Sequence, residues 1–234
     1  MDGFLLIDKP AGWTSFDIVA KTRGVVRHQT GLKKPKVGHA GTLDPMATGL
    51  LVLLIGSYCK QAQQWLGKPK TYQATIRLGA TSTTDDDEGT ITHYDGTIAP
   101  SKSTVHEVCQ SFIGTYKQLP PDYSAKKIDG ERAYHLARAG KSVKLALKEV
   151  TIYDLEVIDY DYPEVHINTT VSSGTYIRSL ARDIGAKLDT GAYLSSLRRT
   201  HIGDLSVENA ISMEKVARST DLTSYMQQET IDKT

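Results

Sequence analysis

Along this chain the spacing of apolar and polar positions switches between two periods, and the switches mark out its elements. Residues 4–8, FLLID, form a short apolar run ended by Lys9-Pro10-Ala11-Gly12, which predicts a buried strand and a turn. Thr14 followed by Asp17 spells a capping box, and Phe16, Val19, Ala20 and Val26 give a helical face behind it. Residues 31–49 are rich in glycine and lysine and predict a long loop. The apolar run 50–55 follows as a strand or a buried helical turn. Tyr72, Ala74, Ile76 and Leu78 alternate with Thr71, Gln73, Thr75 and Arg77, a period-two strand. Residues 83–89 predict a turn before a strand near 90–93. Residues 103–112 and 131–139 predict helices, and 150–160 and 164–172 two strands joined at Tyr162-Pro163. Ile177, Leu180, Ala181, Ile184 and Leu188 make the strongest helical stripe, with Gly191 as its stop. The polar stretch from Ser219 onward has little to bury and is expected to fray.

Strands with interspersed helices, not strictly alternating, predict an α+β fold with a mixed, largely antiparallel sheet. No linker or repeat interrupts the pattern, so residues 1–218 read as one domain and 219–234 as a polar tail. Composition changes this picture little: 39% apolar and 24% charged residues over 234 positions are ordinary for a soluble domain. Two cysteines, Cys59 and Cys109, without CxxC or a His/Cys cluster, exclude a disulfide scaffold and a structural zinc site. The longest apolar run is too short to span a bilayer, and the start of the chain has no basic, signal-like region. A cytoplasmic protein with no membrane association is the expectation.

Net charge is +1, yet the charges are segregated. Residues 1–60 hold eight Lys/Arg against four Asp/Glu, with Lys33, Lys34 and Lys36 gathered around Pro35. Residues 126–148 hold seven basic against two acidic side chains, whereas 82–96 hold five acidic and no basic ones. Such blocks can give a near-neutral protein one basic face for a polyanion, or can simply be solvated loops.

Two places carry candidate chemistry. In Gly38-His39-Ala40-Gly41-Thr42-Leu43-Asp44-Pro45-Met46-Ala47-Thr48-Gly49, glycines and a proline fix an irregular backbone around one isolated acid, Asp44. That carboxylate either closes an Asx turn before Pro45 or serves a ligand. Arg178 places a cation in the first turn of the strongest helix, against the positive end of its dipole. It reaches either solvent or a buried carboxylate.

These segments resemble, in order, the motifs of the TruB family, the bacterial tRNA pseudouridine-55 synthases. The resemblance is carried by Lys9–Ser15 (KPAGWTS), the Gly38–Gly49 loop, Lys70-Thr71-Tyr72-Gln73-Ala74 through Gly79, Tyr123–Lys127 with Ala133-Tyr134, Ser173–Asp183, and Leu194–Thr200. It implies the pseudouridine synthase fold with a central RNA-binding cleft. The implied reaction detaches a T-loop uracil from its ribose, turns it and rejoins it through carbon, with no cofactor and no metal. Asp44 matches the catalytic aspartate and Arg178 the arginine that pairs with it. Tyr72 matches the tyrosine that stacks on the target base, although a strand tyrosine is commonly core. Leu197 and Tyr176 match pocket-lining positions, with plain packing as the alternative for Leu197, and Asp86 matches an acid of the pocket rim. His39 matches the histidine that fills the gap left when the nucleotide flips out.

Lys33, Lys34, Lys36, Lys127, Arg132, Arg198 and Arg199 are expected phosphate contacts. The implied partner is the tRNA T-arm, with no obligatory protein partner and a monomeric enzyme. Many members of the family continue into a C-terminal RNA-binding domain of the PUA type, for which this sequence leaves no room.

Overall fold

The computed structural model describes residues 1–94, 96–121, 127–128, 131–132 and 146–227. In chain order its first elements are β1 (Gly3–Lys9), α1 (Ser15–Thr30), β2 (Val37–Ala40), β3 (Thr48–Ile55), α2 (Gln63–Leu66) and β4 (Lys70–Leu78). Next come β5 (Ala80–Ser82), β6 (Ile91–His93), α3 (Lys102–Gln110), β7 (Gly114–Gln118), β8 (Lys127–Ile128), β9 (Glu131–Arg132), β10 (Lys148–Asp161) and β11 (Glu164–Val171). The chain finishes with α4 (Ile177–Lys187), β12 (Ala192–Ile202), β13 (Leu205–Ser206), β14 (Ile211–Ser212) and α5 (Met213–Arg218). Two compact units emerge, one of residues 1–72 with 198–234 and the other of 73–197; β4 and β12 each contribute to both.

In the first unit β1 runs antiparallel to β3 from Gly3↔Ile55 to Lys9↔Gly49, and β2 pairs antiparallel with β3. The far edge of β1 takes β14 in parallel, and β3 takes the end of β12 in parallel at Arg198↔Thr48. β3 is covered on both faces, which is why its sequence is continuously apolar rather than alternating. Leu51, Leu53 and Ile55 face Ile18, Val19 and Val26 of α1 with Met213 and Val216 of α5. Leu50, Val52 and Leu54 face Phe4, Leu6, Trp65 and Ile202. Each of these fully buried side chains contributes roughly 1.5–3 kcal/mol.

The capping box of α1 forms as its sequence predicts: the Thr14 hydroxyl accepts from Asp17 N, and the Asp17 carboxylate accepts from Thr14 N. The buried stripe differs from the predicted one. Ser15, Ile18, Val19, Thr22 and Val26 face the core, whereas Phe16 is 66% exposed and Ala20 is exposed too. The predicted loop 31–49 contains β2, because His39 and its neighbours find a pairing edge on β3. The tail does not fray as expected where it is described. Leu222 is fully buried in the α1 core, Gln29 holds Ser219 O and Leu222 N, and Gln227 bridges to Phe4.

In the second unit the sheet order is β12, β4, β11, β10, β7. The β10–β11 hairpin is antiparallel with two register shifts, and β5–β6 form a separate pair. β4 alternates as its sequence predicts, with Ala74, Ile76 and Leu78 buried. α4 buries Ile177, Leu180, Ala181 and Ile184 as expected, and Gly185 lets β12 approach: a Cβ there would stand 2.3 Å from Ala192 N. The helix predicted over 131–139 begins instead as strand β9, and residues 133–139 lie outside the described residues.

Candidate active site

The loop between β2 and β3 carries Asp44, half-buried, in a turn closed by Ala47 N donating to Asp44 O at 3.1 Å. Pro45 supplies the fixed φ that such a turn wants at its second position. The residues on either side of Asp44 are pinned from three directions. Buried Ser15 donates its hydroxyl to Leu43 O at 3.1 Å and accepts from Leu43 N at 2.8 Å. Pro45 O accepts from Gly12 N at 2.9 Å and from the Lys9 ammonium at 3.2 Å. Arg199, only 1% exposed, donates to Gly41 O, Thr42 O and Leu50 O. Gly49 is the position where only glycine serves: with φ 100°, a Cβ would sit 2.2 Å from Arg199 O. The backbone from which the Asp44 side chain extends is thereby fixed, as catalysis by positioned groups requires.

Lys9 is the feature the sequence reading passed over. It lies wholly buried at the end of an apolar strand, with its ammonium on Pro10 O, Trp13 O and Pro45 O. The signal was available, since a cation closing an apolar run before Pro-Ala-Gly must find acceptors. Lys9→Met is expected to lower stability by about 2–4 kcal/mol, because three carbonyls lose a charge-assisted donor. A urea midpoint unchanged from wild type would show that water replaces the ammonium.

His39 sits in β2 with its Nδ1 buried and without a hydrogen-bond partner among the described residues. Burial, with the Arg199 charge adding to it, pushes its pKa below the usual histidine value, so the ring is neutral near pH 7. Tyr72 is 8% exposed on β4, at the end of the first unit that also holds Asp44 and His39. Lys33, Lys34 and Lys36 are exposed on the loop before β2.

One expected phosphate contact is corrected. Arg199 spends its guanidinium on backbone carbonyls, so it is a scaffold for the Asp44 loop and not a surface cation. Arg198 is half-exposed and faces Asp8 with a two-pronged ion pair at 2.9 and 3.0 Å. Lys127 and Arg132 stand opposite each other in the β8–β9 pair. Residues 122–126 and 133–134 of the corresponding motif lie outside the described residues.

In the second unit Arg178 pairs with a buried carboxylate, Asp86, at 3.1 Å, one of the two alternatives its helix position left open. Asp86 is 2% exposed and also accepts from Glu88 N and the Thr84 hydroxyl, while Arg178 donates to Thr84 O as well. Asp86 is thus buried and fully engaged within the second unit. Beside it Arg182 pairs with Asp85 at 2.7 Å and with Asp183 at 3.1 Å. Burial raises the pKa of both acids despite the arginine. Tyr176 is half-buried at the N-cap of α4, where Gln118 brackets its backbone by donating to Tyr176 O and accepting from Tyr176 N. Leu197 is 7% exposed on β12. Among the described residues no cluster of three His, Cys, Asp or Glu side chains is placed to hold a metal ion. No helix among them is long and apolar enough to cross a membrane.

Comparison with known proteins bears on this frame directly. Residues 27–177 match the model for the TruB family pseudouridylate synthase N-terminal domain, and 178–233 match that for the tRNA pseudouridylate synthase B C-terminal domain. The tRNA pseudouridine synthase B of Phocaeicola vulgatus is 45% identical over 90% of this chain and 89% of its own length. That of Aquifex aeolicus is 44% identical over 97% and 77% respectively. Among solved structures, a chain of an H/ACA ribonucleoprotein bound to a substrate RNA containing 2′-deoxyuridine superposes with a TM-score of 0.65 at 27% identity. The match covers 91% of this chain and 51% of that one. With the two family models together spanning residues 27–233 and the Asp44 loop inside the first of them, the chain belongs to the TruB family of pseudouridylate synthases.

Proposed function

We propose that this protein isomerises a uridine of the tRNA T-loop, position 55, to pseudouridine, with Asp44 as the reacting carboxylate. The family and the relatives named tRNA pseudouridine synthase B support a uridine-to-pseudouridine reaction on tRNA. The observation that carries the assignment to Asp44 is the frame around it: Ser15, Lys9, Gly12 and Arg199 fix the backbone on both sides of one acid.

The N1–C1′ bond of the nucleotide breaks, the uracil turns, and a C5–C1′ bond forms. C5 gives up its proton and N1 takes one, so atoms balance and no electrons are gained or lost overall. Asp44 serves this by adding to C1′ or to C6, or by removing a sugar proton to give a glycal; each route needs an ionised carboxylate at a fixed point. The target base has to leave its stack first, at a cost of a few kcal/mol. A flat, neutral His39 suits the space it vacates, and Tyr72 offers a ring for the extruded base.

The test is tritium release from tRNA labelled at uridine C5. One equivalent per tRNA is expected, falling to none when uridine 55 is replaced by cytidine. Continued release from the substituted tRNA would move the reaction to another uridine. RNA binding without any release would replace the enzymatic reading by that of an RNA-folding chaperone.

A further inference from the structure

The first unit contains a concavity of about 670 Å³ between α1 and the loop that leads into β2. Five cationic side chains line it: Arg23 and Arg27, one turn apart on α1, and Lys33, Lys34 and Lys36. Among the described residues no carboxylate lines it, although the chain as a whole carries almost as many acids as bases. Arg23 is fixed in place by donating to Val37 O at 3.0 Å. The floor is left open by small residues. Gly24 lies in the interior of α1, where glycine is the poorest non-proline choice, and a Cβ there would meet nothing within 4 Å. Gly38 faces Cys59, whose thiol is raised by burial while the nearby Lys36 and Arg23 charges pull it back.

Like charges gathered without counter-charge oppose folding unless an anion joins them. A basic concavity of this kind matches a phosphate group bearing bulk on either side. We infer that the Arg23–Gly24–Arg27 face of α1, with Lys33, Lys34 and Lys36, forms a pocket for backbone phosphates of the substrate RNA. The inference rests on the reading of the protein as a tRNA-modifying enzyme and adds to it an anchoring site built on α1. The two arginines were not legible as partners of the lysine cluster, because a 16-residue helix with mixed charge reads as a solvated face.

Gly24 allows a test that removes none of the cations. Gly24→Glu fills the opening and adds a negative charge, Gly24→Gln fills it without charge, and both favour the helix, so their melting points should hold or rise. Binding of unmodified tRNA is measured across a potassium chloride series. Gly24→Glu should raise Kd about tenfold and flatten the slope of log Kd against log salt by about one to two, with Gly24→Gln between it and wild type. Cys59 provides a second readout, since Cys109, the chain's other cysteine, is buried. Bound tRNA should slow alkylation of Cys59 by iodoacetamide. Unchanged Kd and slope in Gly24→Glu, while wild type still forms pseudouridine, would overturn the pocket alone. Protection of Cys59 by inorganic phosphate but not by tRNA would overturn it in favour of a free-anion site. Wild type that neither binds nor modifies tRNA would sink the functional reading, and the pocket with it.

Discussion

Asp44→Asn is expected to lose turnover by a factor of about 10⁴ or more while still binding tRNA. The substitution is nearly isosteric and leaves the Ala47 N to Asp44 O bond untouched, since that bond uses backbone atoms. The clasps from Ser15, Lys9 and Arg199 described above likewise address backbone atoms of Leu43, Pro45, Gly41 and Thr42. The frame should therefore persist with an amide where the reaction needs a carboxylate. Tritium release and filter binding on the same preparation separate the two effects. Turnover within tenfold of wild type would remove Asp44 from the reaction. Loss of tRNA affinity in parallel with turnover would make it a recognition residue.

The second large effect concerns stability. Arg178→Ala is expected to cost about 3–5 kcal/mol, because it strands the Asp86 carboxylate, 2% exposed, without its cation. Asp86 would retain the Glu88 amide and the Thr84 hydroxyl, which soften the loss without replacing a full charge. A double-mutant cycle with Asp86→Asn isolates the pair: the two changes together should cost clearly less than the sum of each alone. Urea midpoints read it. Additive losses would mean that Arg178 stabilises α4 through its other contacts rather than through this carboxylate.

What the sequence made legible follows from the range of the forces involved. The capping box of α1, the alternation of β4 and the stripe of α4 are local patterns, and they appear where their spacing places them. The burial face of α1 was misjudged because its buried stripe includes two hydroxyl residues, Ser15 and Thr22, while Phe16 points outward. β12 (AYLSSLRRTHI) was missed because Ser195-Ser196 and Arg198-Arg199 interrupt its apolar pattern. Arg199 belongs in the interior only through carbonyls about 150 residues away, which no local window contains. The same limit applies to the site. Asp44 was visible as one acid in a glycine-rich loop, but Lys9, Ser15 and Arg199 acquire their meaning only when the chain brings them to that loop.

The distance between Thr42 and Arg199 along the chain, 157 residues, also orders events during synthesis. At about 5–20 residues per second, a ribosome takes roughly eight to thirty seconds to add the arginine after making the loop it holds. Residues 73–197, an uninterrupted stretch, are complete before then, whereas the unit containing Asp44 waits for its closing strand. A nascent chain arrested before Arg199 therefore carries Asp44 with the clasps of Ser15, Gly12 and Lys9 but without those of Arg199. The frame around Asp44 is thus completed only about 150 residues after the loop itself has been made.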